Sequence, residues 1–143
     1  MSKYPWLDLA MAERGVREIP GRRDNARIVE YMLNSGVNYS LPQVFIDEVP
    51  WCSFFENWLM RQCGIEGTHS AAALSWLNWG IECDEQVGAV VIFDYGGGHG
   101  HVTNLYEIHQ DGLFCIGGNQ RDSVCLSFFS RARVAGYRLP EGW

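Results

Sequence analysis

The chain has 143 residues, a formal net charge of −6, 47% apolar residues and 20% charged residues. These values are typical of a single folded domain over residues 1–143 and exclude a disordered or collagen-like chain. The eleven Lys and Arg residues are dispersed, which disfavours a nucleic-acid partner because phosphate binding needs a concentrated basic face. No apolar run is long enough to cross a membrane, so we expect no membrane insertion.

The amino-terminal part of the chain has helical patterns. A first helix is predicted from Pro5 until Gly15, and a second from Asn25 to Asn34. The segment 37–50 has no sustained period and is predicted to be a loop. It leads to a third helix that holds Cys52 in its first turn and ends at Gly64. A short fourth helix is predicted over about 70–79, with Gly80 as its end.

The carboxyl-terminal part changes to the alternating pattern of strands. The predicted strands cover residues 89–95, 101–108, 113–116, 124–129 and 134–139. Gln110, Asp111 and Gly112 supply a hairpin turn between the second and third of them. Helices followed by a meandering antiparallel sheet predict an α+β fold, with the helices packed on one face of the sheet.

Five cysteines are present, and none forms a Cys-x-x-Cys pair. An odd number with this spacing argues against a disulfide framework and against a cysteine-rich zinc site, so at least one thiol is free. The amino end reaches Asp8 before any apolar stretch of signal-peptide length. We therefore expect synthesis in the cytoplasm without a signal peptide.

Cys52 is the candidate nucleophile. The first turn of a helix stabilises a thiolate, because unpaired backbone N–H groups and the helix dipole point towards it. The other cysteines lie at a helix end, in a turn or in apolar strands, and are predicted to be packing residues: Cys63, Cys83, Cys115 and Cys125. Since buried cysteines are common, Cys52 needs a partner before it can be called catalytic.

His101 is the candidate base for that thiol. It opens a predicted strand and would be held by the sheet, whereas His99 lies between two glycines and would be loosely held. Asn119 ends the next predicted strand, which a hairpin returns beside His101, so it is the candidate that orients the imidazole. His69 and His109 are expected to face solvent.

Six motifs in this order resemble the phage-and-proteobacterial branch of CHAP domains, which are cysteine- and histidine-dependent amidohydrolases/peptidases related to NlpC-type cell-wall peptidases. They are Pro-Trp-Cys-Ser-Phe-Phe-Glu-Asn-Trp at 50–58, Gly-Thr-His-Ser-Ala at 67–71, Ser-Trp-Leu-Asn-Trp-Gly at 75–80, Gly-His-Val at 100–102, Gly-Gly-Asn-Gln at 117–120 and Gly-Tyr-Arg-Leu-Pro at 136–140. The resemblance spans essentially the whole chain.

This resemblance implies a papain-like fold, a Cys-His-Asn site made of Cys52, His101 and Asn119, an acyl-enzyme, and peptidoglycan stem peptides as substrate. We expect no cofactor and no bound metal. Two positions depart from the family pattern: Ala89 follows Gly88 where Asp is usual, and Thr103 follows Val102 where Gly is usual. Neither is one of the three candidate site residues.

Several alternatives stay open at this point. A zinc-dependent hydrolase would use His99 and His101, whose side chains share one face of a strand. A non-catalytic cell-wall-binding module would keep the fold without turnover.

For the cysteine hydrolase, the scissile bond is either the muramoyl–L-alanine amide or a bond inside the stem peptide. The protein would reach the wall as a phage endolysin or as an exported antibacterial effector with an export or immunity partner. Besides the Cys52 N–H, Gln120 is a weak candidate for the second oxyanion donor.

Overall fold

The computed structural model describes residues 3–19, 25–37 and 51–143. Three α-helices come first: α1 (Pro5–Ala12), α2 (Ala26–Leu33) and α3 (Cys52–Gln62). A 3-10 helix, Ala73–Asn78, follows them, and a second one, Arg131–Arg133, precedes the last strand. The strands are β1 (Ile81–Glu82), β2 (Val90–Gly96), β3 (His99–His109), β4 (Gly112–Gln120), β5 (Ser123–Phe129) and β6 (Val134–Leu139).

The strands form one antiparallel sheet in the order β1-β6-β2-β3-β4-β5. The chain is therefore an α+β protein, as the sequence predicted. The hairpin turn between β3 and β4 is confirmed, with His109 paired to Gly112. The predicted loop over 37–50 lies outside the described residues except for Val37.

The fourth predicted helix differs from the structure in type and length. It is a 3-10 helix that begins at Ala73 rather than near Ser70. The backbone carbonyl of Ser70 accepts hydrogen bonds from the Ser53 hydroxyl (2.7 Å) and the Asn57 amide (3.2 Å), both on α3. This carbonyl therefore accepts hydrogen bonds from α3, and the 3-10 helix begins only after Ala72, whose backbone is extended.

The core has two parts, one on each face of the sheet. The larger part contains every buried apolar residue of the described helices, together with alternate strand residues such as Val90, Ile92 and Val102. The smaller part contains strand residues alone, among them Val91 and Phe93. The helices therefore pack on one face of the sheet, as predicted, and β2 is buried on both faces, which explains its unbroken apolar sequence.

Two glutamates near the amino terminus form hydrogen bonds that connect separate parts of the chain. Glu13 accepts two hydrogen bonds from the Arg27 guanidinium, at 2.7 and 3.0 Å, and one from the Tyr31 hydroxyl at 2.6 Å. Glu18 accepts a hydrogen bond of 2.9 Å from the indole N–H of Trp51. Glu13 thus joins α1 to α2, and Glu18 holds the residue directly before Cys52.

Candidate active site

Cys52 is the first residue of α3, and 7% of its surface is exposed. Its thiol faces the backbone N–H of Val102 on β3 and the N–H groups of Ser53 and Cys52 itself. Burial raises the pKa of the Cys52 thiol, and these three N–H groups oppose that rise. Cys52 therefore rests as a neutral thiol in a setting of backbone donors that can stabilise negative charge.

Ser53 and Asn57 fix the orientation of α3 and hence of Cys52. The Ser53 hydroxyl donates to the Ser70 carbonyl and accepts a hydrogen bond of 2.9 Å from the indole of Trp76. The Asn57 carbonyl oxygen accepts from the backbone N–H groups of Thr68 (2.8 Å) and His69 (3.1 Å). The motifs at 67–71 and 75–80 thus brace the nucleophile helix in this fold.

His101 lies on β3, directly before Val102, whose N–H faces the Cys52 thiol. The Cys52 thiol therefore lies beside the backbone of the residue that follows His101, and both Cys52 and His101 are within electrostatic range of Glu56. The imidazole is 9% exposed and stacks on Phe129, with ring centroids 5.5 Å apart. Its Nε2 lies 3.0 Å from the side-chain oxygen of Gln120.

The orientation of Gln120 determines the tautomer of His101. The Gln120 amide nitrogen donates to the backbone carbonyls of Cys115 (3.1 Å) and Cys125 (2.7 Å), so its Oε1 is the atom that faces the imidazole. Thr103 donates a second hydrogen bond to this oxygen, at 2.6 Å. An oxygen can only accept, so His101 Nε2 carries a proton and Nδ1 of the neutral ring is left as the basic atom.

Burial lowers the pKa of His101, while the hydrogen bond to Gln120 and the field of Glu56 oppose that fall. The imidazole is therefore neutral at neutral pH and can take up a proton at Nδ1. Cys52 and His101 are thus both uncharged at rest.

Asn119, the predicted orienting residue, does not make the contact with the imidazole, because Gln120 makes it. A register shift separates Gly117 from Gln120 in the pairing of β4 with β5, and Asn119 adopts a positive φ of 57° within it. One extra residue in a strand moves the following side chain to the opposite face of the sheet. Gln120 consequently points inward, and Asn119 lines the neighbouring cleft.

The cleft beside His101 has a volume of about 480 Å³. The part of its lining that the structure describes is partly aromatic and has one permanently charged side chain, that of Arg121. The described lining residues are Tyr95, Gly100, His101, Asn119, Gln120, Arg121, Ser127, Phe128 and Phe129. Tyr95 also lies within electrostatic range of Cys52. The cleft thus gives a substrate access to the imidazole.

A larger cavity, of about 550 Å³, lies elsewhere, between the segment after α3 and the carboxyl-terminal residues 140–143. Its described lining contains neither a cysteine nor a histidine. Its size therefore does not make it the reactive site, and the smaller cleft beside His101 is the candidate.

The other histidines lie at the surface. His69 and His109 are exposed, as expected, and each contacts a nearby glutamate. His99 is exposed at the start of β3. Among the described residues no three His, Cys, Asp or Glu side chains are grouped to hold a metal ion, so His99 and His101 have no third ligand there.

No family model matches the chain, and no curated protein matches it at a significant level. Within the described residues, no helix has the length and apolar character needed to span a membrane. The class of protein is thus argued from the geometry of the site and from the motifs in the sequence.

Proposed function

We propose that the protein is a cysteine hydrolase of papain-like fold that cleaves an amide bond in bacterial peptidoglycan. Cys52 is the nucleophile, His101 the base, and Gln120 the residue that orients the imidazole. The observation that carries this proposal is the tautomer of His101: with Nε2 protonated against Gln120, Nδ1 is the ring nitrogen left to act as the base.

In the proposed reaction, Nδ1 of His101 takes the thiol proton as the Cys52 sulfur attacks the scissile carbonyl carbon. The resulting oxyanion is stabilised by backbone N–H groups at the start of α3. The imidazolium then gives its proton to the leaving amine nitrogen, the C–N bond breaks, and a thioester remains on Cys52. A water molecule, deprotonated by His101, attacks the thioester, which releases a carboxylic acid and restores the thiol.

Two observations support a peptidoglycan stem peptide as the substrate. The six motifs that resemble CHAP domains include the segments that hold Cys52, His101 and Gln120. The cleft presents the exposed guanidinium of Arg121 beside aromatic side chains. Stem peptides carry free carboxylates, which a guanidinium binds well. The proposal is compatible with either scissile bond, that of an endopeptidase or that of an N-acetylmuramoyl-L-alanine amidase. It is also compatible with either route to the wall, as a phage endolysin or as an exported antibacterial effector.

Digestion of purified sacculi tests the proposal. The parent protein should release soluble fragments, and Cys52→Ala should release none above background while unfolding at the same urea concentration as the parent. Cys63→Ala is the matched control and should keep full activity, because Cys63 lies at the far end of α3.

The new amino termini in the released material identify the bond. An amino-terminal L-alanine indicates the amidase reaction, and any other new terminus indicates an endopeptidase. Equal release by the parent and Cys52→Ala would refute the assignment of the nucleophile, and no release by a folded parent would refute peptidoglycan as the substrate.

A further inference from the structure

Glu56 is a completely buried acid directly behind the reactive pair. It lies one turn after Cys52 on α3, and its exposed fraction is 0%. Its Oε1 accepts a hydrogen bond of 2.8 Å from the side-chain amide of Asn104, which lies on β3 three residues after His101. This contact therefore joins the helix that carries the nucleophile to the strand that carries the base.

The contact leaves two buried acceptors without a partner among the described residues: Oε2 of Glu56 and Oδ1 of Asn104. The Asn104 amide cannot simply be reversed, because its nitrogen also donates to the Ile116 carbonyl at 3.0 Å. Unpaired buried acceptors are unfavourable. One proton on Oε2 removes both defects, since the resulting hydroxyl can donate to Oδ1.

We propose that Glu56 is kept as a neutral carboxylic acid in a two-bond pair with Asn104, and that this pair positions Cys52 relative to His101. Glu56 Oε2–H donates to Asn104 Oδ1, and Asn104 Nδ2–H donates to Glu56 Oε1. The effect of the pair on turnover rests on the proposed hydrolase function, whereas the proton on Glu56 does not. Glu56 is thus a positioning residue that touches neither substrate nor leaving group.

The surroundings of Glu56 favour its neutral form. The titratable groups that interact with it are Cys52 and Cys63 on its own helix, His101 on β3 and Cys115 on β4. None of these groups carries a permanent positive charge. Burial raises the pKa of Glu56 to about 8, although the Asn104 hydrogen bond opposes the rise. Above that pH the Glu56 carboxylate would have no proton to donate to Asn104 Oδ1. Its negative charge would also disfavour negative charge on the Cys52 sulfur.

Glu56→Gln tests the proposal, because a glutamine side chain of the same shape retains both hydrogen bonds and cannot ionise. Turnover by the parent should fall at least tenfold between pH 7 and pH 9.5, as Glu56 ionises near pH 8. Glu56→Gln should match the parent at pH 7 within about threefold and lose much less at pH 9.5. Glu82→Gln, at a side chain that is 85% exposed, is the control and should follow the parent.

Two measurements in a Cys52→Ala background are independent of activity. Difference infrared spectra at pH 7 should contain the carbonyl band of a protonated carboxylic acid, which Glu56→Gln removes. The free energy of unfolding should also fall as the pH rises from about 4.5 towards 8, because the unfolded Glu56 ionises first while the folded one keeps its proton. With Glu56→Gln that decline should be absent.

Each outcome decides part of the proposal. Absence of a carboxylic-acid band that depends on Glu56 overturns the neutral pair. A band that is present, with the same alkaline loss of turnover in the parent and Glu56→Gln, overturns the positioning role. A band that is present in a protein without hydrolase activity at any pH refutes the proposed function and leaves the neutral acid–amide pair supported.

Discussion

The side chain of Gln120 is held by four hydrogen bonds, and this determines how His101 can act. Two bonds go to backbone carbonyls, one comes from Thr103, and one joins the imidazole. A neutral amide fixes the ring and its tautomer but does not stabilise the imidazolium as a carboxylate would. Its contribution should therefore come from geometry and appear in kcat.

We expect Gln120→Ala to lower kcat by about 10²-fold to 10⁴-fold with a smaller effect on KM, because His101 loses its fixed tautomer. Asn119→Ala is the matched control one residue earlier and should change kcat by less than about fivefold, since Asn119 only lines the cleft. Thr103→Val should fall between them, because it removes one donor to the same oxygen. Steady-state kinetics with solubilised peptidoglycan fragments measure all three.

Gln120→Ala also removes a hydrogen bond from one buried carbonyl, that of Cys115, and one part-buried carbonyl, that of Cys125, at a cost of up to about 1–3 kcal/mol each. The kinetic comparison is therefore made at a temperature where thermal denaturation shows every variant to be folded. A loss for Asn119→Ala as large as that for Gln120→Ala would contradict the assignment of Gln120 as the orienting residue.

Sequence reasoning could propose Cys52 and His101 because each proposal depends on local structure: a helix start after a loop, and a strand start after glycines. It placed Asn119 rather than Gln120 beside the imidazole, since a bulge at Asn119 shifts the alternation of β4 by one residue. Glu56 was not singled out either. An acid among aromatic residues, four positions after the nucleophile, is the signal that could have revealed it.

The two hairpins that follow β3 differ in their backbone conformation. In the turn between β4 and β5, Arg121 and Asp122 both have positive φ angles, of 51° and 59°. Two-residue turns of this type favour Asn-Gly because residues with a Cβ are strained there. In the turn between β3 and β4, Asp111 does not have a positive φ.

We therefore expect Asp122→Gly to raise the free energy of unfolding by about 0.5–1 kcal/mol, as relief of strain outweighs the added freedom of the unfolded chain. Asp111→Gly is the matched control and should lower it by about 0.5–1 kcal/mol, because only the unfolded chain gains freedom there. Urea denaturation of both variants measures the difference. A loss of stability in both would show that Asp122 is not strained.

The helices and long strands could be predicted because each has a clear period and a clear end. Pro5, Asn25 and Gly64 mark helix boundaries, and the unbroken apolar run of β2 matches burial on both of its faces. The short strand β1 has two residues and depends on pairing with β6. The 3-10 helix depends on contacts between Ser70 and α3. Elements that exist through tertiary contacts carry no periodic signal of their own.

At the scale of the whole molecule, Glu13 and Glu56 make the stability of the fold respond to pH in opposite directions. Burial alone would raise the pKa of Glu13, but the hydrogen bonds from Arg27 and Tyr31 outweigh it and the net pKa is lowered. Its stabilising effect is therefore present above the unfolded value of about 4.5 and is lost as the pH falls through the lower folded value. Glu56 has the reverse effect at higher pH.

We expect Glu13→Gln to lower the free energy of unfolding by about 2–4 kcal/mol at pH 7, because it leaves the half-buried Arg27 without its two-bond partner. The difference from the parent should shrink as the pH falls below 4. Glu30→Gln removes the other, more exposed partner of Arg27 and should cost less than about 1 kcal/mol. Urea denaturation from pH 3 to pH 7 tests this, and a cost that does not depend on pH would contradict the ionic role of Glu13.

The α+β class and the one-sided packing of the helices followed from the order of the patterns in the sequence. The close approach of α3 to the sheet, on which the proposed site depends, did not. Gly118 shows why: a Cβ there would lie 2.7 Å from atoms of Trp51 and Phe55, so the close approach of β4 to α3 depends on a missing side chain. Such proximity is a property of the folded chain and is not visible in local patterns.

The position of the Trp51 indole makes it a fluorescent probe of the region around Cys52. It directly precedes Cys52, is fully buried and is held by its N–H bond to Glu18, next to the ring of Tyr31. A rigid, solvent-shielded indole beside a reactive thiol responds to changes in the charge and volume at that thiol. Trp51 is therefore a built-in fluorophore whose emission would follow the formation and decay of the thioester of the proposed reaction, and Trp51→Phe, which keeps the other five tryptophans, is the reference.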